Sequence, residues 1–272
     1  MCSMRGDLDI HPTAVVSDTV VLGQKVKIGP YCVVDGNVKL GCGVKLHSHV
    51  CVVGNTEVGD NTEIFSFASI GSRPQDQKYC GEDSRVVIGK NNTIREYVTI
   101  QPGTAAGVME TIVGNDCLFM VGSHIAHDCI IGDKVILANN VALAGHVVLE
   151  NNVIIGGLSG VHQFVRIGKY AMIGGMTAVR ENVVPYSMVI GSKGSLEGVN
   201  VVGMKRAQFS RRDIDDITVA FRKIFFDHKM VVNDRLVSVM QEFSQSSVVV
   251  DVINFIKESN NRAICIPKDN KR

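Results

Sequence analysis

Tryptophan is missing from all 272 residues, and aromatic side chains together make up only 6% of them. Beside that scarcity stand 45% hydrophobic residues and 27 glycines. Such a composition suits a repetitive β-architecture, in which aliphatics fill a narrow interior and small residues turn the corners. Excess charge is missing too. A formal net charge of +1 gives no field that would draw nucleic acid to the whole molecule, so an anionic ligand has to be met by a local cluster. No charge-free stretch reaches the roughly 18 residues that a membrane span requires, and the N-terminus has no apolar signal core. A cytoplasmic protein without an integral membrane segment is expected. The eight cysteines (Cys2, Cys32, Cys42, Cys51, Cys80, Cys117, Cys129 and Cys265) include no CxxC pair. They read as reduced thiols, some of them small core residues such as Cys32 and Cys129.

What the chain does have is a period of six. Ile125, Ile131, Leu137, Leu143, Leu149, Ile155, Val161, Ile167, Ile173 and Val179 fall at every sixth position, and the residue four places on is small or β-branched, from Cys129 to Thr177. Six fits neither the 3.6 of a helix nor the alternation of a lone strand. It is the signature of a parallel β-helix with three hexads per triangular turn, so that residues eighteen apart stack roughly 4.8 Å from one another. The same phase runs from Ile10 to Ile70, breaks at 72–86, and resumes at Ile88, Ile94 and Ile100. After a second break at 102–111 it slips by one before Val113. Both breaks read as loops thrown out from a continuous prism. The fold class is therefore mainly β, with a β-helix over 1–190.

Residues 191–272 read as a small helical domain covering the end of the prism. Ser210 is a candidate N-cap with Asp213 three residues on, followed by Ile214, Ile217, Phe221, Ile224 and Phe225 on one helical face. Asn233 or Asp234 is expected to cap a second helix, and a third is expected from Val248 to Lys257. The flat, largely apolar prism faces favour self-association, most simply as a cyclic homotrimer.

Four of the eight histidines lie in the regular block: His124, His127, His146 and His162. None occupies an inward slot of the hexad. By the eighteen-residue rule His127 stacks on Gly145, which puts His146 within about 6 Å at the backbone, and His162 stacks on Ala144 beside the same patch. Asp128 is placed to hold an imidazole in one tautomer, histidine suits a general base near neutrality, and the uncovered N–H of Gly145 suits an oxyanion. These are the parts of acyl transfer to an alcohol. An activated thioester donor would need no metal, cofactor or nucleophilic serine. Two other readings stand beside this one: a zinc site of the gamma carbonic anhydrase type, and a scaffold with solvated histidines.

The segments HIAHDC (124–129), ILANNVALAGH (136–146), GGLSGVHQF (156–164) and GVNVVGMKR (198–206), with PQDQKY (74–79) and IREYVTIQPGT (94–104), resemble the bacterial UDP-N-acetylglucosamine acyltransferases over nearly the whole chain. The resemblance implies a left-handed β-helix homotrimer with active sites between subunits. It implies transfer of an (R)-3-hydroxyacyl group from acyl carrier protein to the glucosamine 3-hydroxyl of UDP-N-acetylglucosamine, the first step of lipid A synthesis. On that basis His127 is the general base, Asp128 its partner and the Gly145 N–H the oxyanion donor. His124, His146 and His162 position substrates, Asp76 and Lys78 contact the sugar, and Gln163, Asn200 and Arg206 contact the nucleotide and its diphosphate. Gly175 stands where the family sets acyl length, and its missing side chain implies a longer chain such as 3-hydroxymyristoyl.

Two residues depart from the family pattern, Val202 where glutamate is common and Gln101 where histidine is common. Both bear on the acceptor, and N-acylation of a 3-amino UDP-sugar remains the alternative to ester formation. The basic residues Lys205, Arg206, Arg211 and Arg212, with Arg166 and Lys169, read either as a solvated face or as a docking surface for the acidic carrier protein.

Overall fold

A computed structural model describes residues 8–227, 231–259 and 262–268; Cys2 lies outside them. The prism is built from short parallel strands, most of them two residues long, such as His124–Ile125, Ile130–Ile131 and Ile136–Leu137. Strands this short are stable because each belongs to a ladder that continues through the coils above and below. His124 pairs with Ala142, Ala142 with Gly160 and Gly160 with Ala178, each step eighteen residues. Between coils, the Ile136 N–H donates to the Val153 carbonyl at 2.9 Å and the Ala138 N–H to that of Ile155 at 2.9 Å.

One sheet has 11 strands and forms a single face of the prism. The other has 15 and covers two faces, because the eight-residue strands Val33–Leu40 and Cys51–Val58 run through the corner between them. Alternation points one side chain in two inward. Ile125, Leu137 and Leu143, with Cys129, Val135 and Val141 from the second slot, are all 0% exposed. Phe119 takes an aliphatic slot and is equally buried.

The two excursions explain the phase of the repeat. Val58 pairs with Ile88, so the first adds two full hexads to a coil and the phase survives. Ile88 pairs with Val113, so the second adds seven residues and the phase slips by one. In both cases the ladder itself is uninterrupted.

The 11-stranded sheet runs on past residue 190. Ser187–Ile190 continues it in parallel and Ser195–Val199 folds back antiparallel. Four α-helices follow: α1 (Val201–Arg206), α2 (Arg211–Phe221, extended by a π-helical turn at Arg222–Phe226), α3 (Val232–Glu242) and α4 (Ser247–Glu258). Ser210 caps α2 in a reciprocal capping box with Asp213. The start of α3 differs from expectation: the cap position is Val231, with no side-chain bond. Asn233 and Asp234 fall inside the first turn, where the Asp234 carboxylate faces the positive end of the helix dipole.

Arg166 and Lys169, candidates for carrier docking, are engaged in holding α4 to the prism. Arg166 binds Glu150 at 2.6 Å and Glu258 at 2.9 Å, and Lys169 binds Asp251 at 2.8 Å. Among the described residues no helix is long and apolar enough to cross a membrane.

Because each coil is supported by its neighbours, a cavity in the interior weakens the whole stack. Leu143→Ala is expected to cost about 2–5 kcal/mol, read as a lower midpoint in equilibrium urea denaturation.

Candidate active site

The corner between strands His124–Ile125 and Ile130–Ile131 carries the histidine cluster. Here the backbone takes a left-handed residue in three successive coils, at Asp128 (φ 59°), His146 (φ 63°) and Phe164 (φ 63°). Each such residue costs about 1–2 kcal/mol, offset where its N–H reaches the coil before, as that of His146 does to the His127 carbonyl at 3.0 Å. The turn stands the corner side chains outward in a column along the prism axis.

Asp128 is the centre of the cluster. Its side chain is 0% exposed and that of His127 10%. The His127 Nδ1–H donates to Asp128 Oδ2 at 2.9 Å, which fixes the tautomer and leaves Nε2 without a partner among the described residues. The rest of the carboxylate is held by the second excursion. Thr104 donates its N–H at 3.1 Å and its hydroxyl at 2.7 Å, and Val108 donates its N–H at 2.9 Å. Burial alone would raise the Asp128 pKa, but the bonds from Thr104 and His127 outweigh it and the carboxyl titrates below its ordinary range. Gly107 packs so closely on this carboxylate that a Cβ would collide with it.

Gly145 lies under the His127 ring; a Cβ there would sit 2.5 Å from the imidazole Cε1. The coil ladder uses the N–H groups of Ala144 and His146 on either side, but leaves that of Gly145 without an acceptor among the described residues. His146 lies edge-on to His127 (centroids 5.0 Å) and stacks on Phe164 (4.3 Å). Burial lowers its pKa, and the Asp128 and Asp76 carboxylates offset this only in part.

The other expected residues surround this corner at differing distances. His124 lies on the adjoining face, with Nδ1 2.6 Å from the Thr99 hydroxyl; burial, then the neighbouring His127, depress its pKa. With His162, Ala142, Ala144, Gly160 and Ala178 it lines a groove of about 440 Å³ along the prism axis. His162 is exposed, and its Nδ1 lies 3.3 Å from Arg262 of the C-terminal segment. Gln163 is exposed in the same corner column as Gly145. Asp76 and Lys78 stand on the first excursion, where Asp76 Oδ1 accepts the Lys78 N–H at 3.0 Å. Gly175 belongs to another corner, above Gly157.

Asn200 and Arg206 are not brought to the histidines. They line a groove of about 520 Å³ on the 11-stranded face, together with Ile136, Ile154, Met172 and Val202, and that face is opposite the histidine corner. Asn200 is also occupied: it caps α1 by accepting the Gly203 N–H at 3.0 Å and donates to the Tyr170 carbonyl at 2.9 Å.

Thr104, Gly107 and Val108 were not expected from the sequence. They lie in an aperiodic loop about a coil away from the carboxylate they hold, and nothing local marks them. Gln101 does have a visible role here. Buried at 6% exposure, it accepts the Gln75 N–H at 3.2 Å and so ties the first excursion to the prism.

Residues 182–265 match the family model described as Udp N-acetylglucosamine O-acyltransferase, domain 2, and residues 110–145 match that of the bacterial transferase hexapeptide (six repeats). The acyl-[acyl-carrier-protein]–UDP-N-acetylglucosamine O-acyltransferase of Bartonella henselae is 45% identical over 95% of this chain and 94% of its own length. The chain belongs to that acyltransferase family. A member from Rhizobium johnstonii is 44% identical over 98% of both chains. The solved structure of LpxA from Acinetobacter baumannii agrees in fold with a TM-score of 0.90 at 39% identity, over 94% of this chain and 99% of that one.

At this corner of the family fold a buried carboxylate and two imidazoles meet. The ligand atoms of His127, Asp128 and His146 do lie within 4.8 Å of one another, close enough to share a cation. Asp128, however, spends both oxygens on donors from Thr104, Val108 and His127, and a carboxylate has about four acceptor positions. A metal there would have to break the His127–Asp128 bond or displace a donor of the 102–109 loop.

The depressed pKa values of His124 and His146 have a thermodynamic consequence. As pH falls below about 6.5, the unfolded chain binds protons that the folded chain does not, and stability declines toward the lower, folded-state values. Urea midpoints at pH about 7.5 and about 5.5 are expected to show this loss, and His124→Gln is expected to reduce it.

Proposed function

We propose that this chain transfers an acyl group from the thioester of acyl carrier protein to the 3-hydroxyl of the glucosamine in UDP-N-acetylglucosamine, the opening step of lipid A synthesis. The observation that carries the reading is the His127–Asp128 pair, buried and fixed in one tautomer with Nε2 free, in a chain whose relatives bear this activity in their names.

His127 Nε2 takes the proton of the sugar hydroxyl as its oxygen attacks the thioester carbonyl. Asp128, held ionised by its donors, stabilises the imidazolium that forms. The carbonyl electron pair moves onto oxygen, where the unpaired Gly145 N–H donates to it. As the tetrahedral intermediate collapses, the C–S bond breaks and Nε2 returns its proton to the departing thiolate. An ester and a free carrier thiol result, and no metal or cofactor is called for. Asp76, Lys78, His124 and His146 would hold the sugar and the acyl donor around His127.

Arg206, Asn200 and Gln163 would serve the nucleotide and its diphosphate, Arg206 through its planar fork. In one chain the Asn200–Arg206 groove and the histidine corner face apart, so a complete site needs a second copy. This favours a homotrimer in which the corner of one prism meets a neighbour. The groove of small residues from His124 to Ala178 suits an acyl chain, with His162 beside it and Gly175 leaving room for a long one. Carrier docking falls to Lys205, Arg211 and Arg212, whose side chains stand exposed at and before the start of α2. The setting of the reaction is the cytoplasm.

Mass spectrometry of products from 3-hydroxymyristoyl acyl carrier protein, with UDP-N-acetylglucosamine and its 3-amino analogue in competition, tests the reading. The ester is expected, with kcat about 10²–10⁴-fold lower in His127→Ala and a severe loss in Gly145→Ala, whose methyl displaces the imidazole. Amide alone would move the acceptor to an amino sugar, and no product with either acceptor would overturn the assignment.

A further inference from the structure

Glu82, on the same loop as Asp76 and Lys78, reaches the loop that holds Asp128. Its Oε2 accepts the Cys80 N–H of the first excursion at 2.7 Å, and its Oε1 accepts the Ala105 N–H of the second at 3.1 Å. Its own carbonyl accepts the Tyr79 hydroxyl at 3.2 Å and the Ser84 N–H at 2.8 Å. Its own backbone N–H, then those of Ala105, Cys80 and Gly81, hold this carboxyl below the ordinary glutamate range. Ala105 directly follows Thr104, whose N–H and hydroxyl both reach Asp128, and Asp128 holds His127. From Glu82 on the first excursion, two side chains, Thr104 and Asp128, lead to the His127 imidazole.

We propose that Glu82 is a positioning residue that straps the two excursions together, so that a sugar nucleotide seated on the first loop orders the second and with it the Asp128–His127 pair. Glu82 touches neither substrate nor reacting atoms and acts through Thr104. The sugar contacts lie on the first loop, which Gln101 and Asp76 also brace, and the diphosphate contacts at Asn200 and Arg206 lie in another groove that the strap does not touch. Loss of the strap therefore falls on kcat more than on KM. The substrate arm of this proposal rests on the function proposed above, whereas the strap itself does not.

Amide hydrogen exchange on the full chain separates the two. Without ligand, peptides spanning 102–109 are expected to exchange at least about tenfold faster in Glu82→Ala than in the wild type, because the Ala105 bond and the register of Thr104 are lost. Equal exchange would overturn the strap. With UDP-N-acetylglucosamine, protection of both 72–84 and 102–109 is expected in the wild type, and of 72–84 alone in Glu82→Ala. Equal protection of 102–109 in both proteins would overturn the coupling. No protection at 72–84 in the wild type would count against the substrate assignment and leave the ligand-free result to decide the strap. In the acylation assay Glu82→Ala is expected to lower kcat about tenfold with KM within about twofold, and Glu82→Gln, which keeps a carbonyl for the Ala105 N–H, to recover most of it. A loss confined to KM would overturn the positioning role.

Discussion

Backbone hydrogen bonds between successive coils, from the N–H of one residue to the carbonyl seventeen positions on, set the geometry on which everything else in this molecule depends. They hold strands of two residues that could not persist alone, and they turn sequence distance into height along the prism. Once His127 is placed, Gly145 must lie against its ring and His146 must stand beside it. The cluster is a consequence of register, with side-chain chemistry added at positions the ladder has already fixed. The same bonds pass over the N–H of Gly145, whose absent Cβ makes room for the His127 imidazole.

The ladder does not by itself fix the tautomer of His127. That depends on burying a carboxylate and keeping it charged. Thr104 and Val108 supply the donors, His127 completes the set, and Gly107 leaves the space. A buried ionised group without such donors would be neutralised instead. The prism thus provides position and the second excursion provides electrostatics.

This division explains which features were legible in the sequence. Periodicity reports the coil register, so the fold class, the stacking of His127 on Gly145, the grouping of His146 and the buried slots of Cys32 and Cys129 could be read from the hexads. The capping box at Ser210 was equally local. Contacts made by the excursions carry no period. Thr104 meeting Asp128, Gln101 tethering Gln75 and Glu82 joining the loops are invisible to a rule that counts in sixes. The slip before Val113 was visible as a fact, but its cause, a seven-residue addition to one coil, needed the pairing of Ile88 with Val113. The cap of α3 was misplaced because Asn233 and Asp234 resemble cap residues whether they precede the helix or lie in its first turn. Arg166 and Lys169 read as free basic residues because their partners, Glu258 and Asp251, are distant in sequence.

The first excursion leaves and rejoins the prism within a single coil, its flanks Ile70 and Val86 stacking on Val52 and Thr56 of the same coil below, so its ends stay close whatever its length. The entropy of closing such a loop grows only with the logarithm of its length, and twelve or seven extra residues leave the ladder equally intact. Chain length, composition and ligand preference in these loops can therefore change by mutation while the framework keeps its stability. A scaffold of this kind separates the inheritance of a fold from the evolution of its specificity.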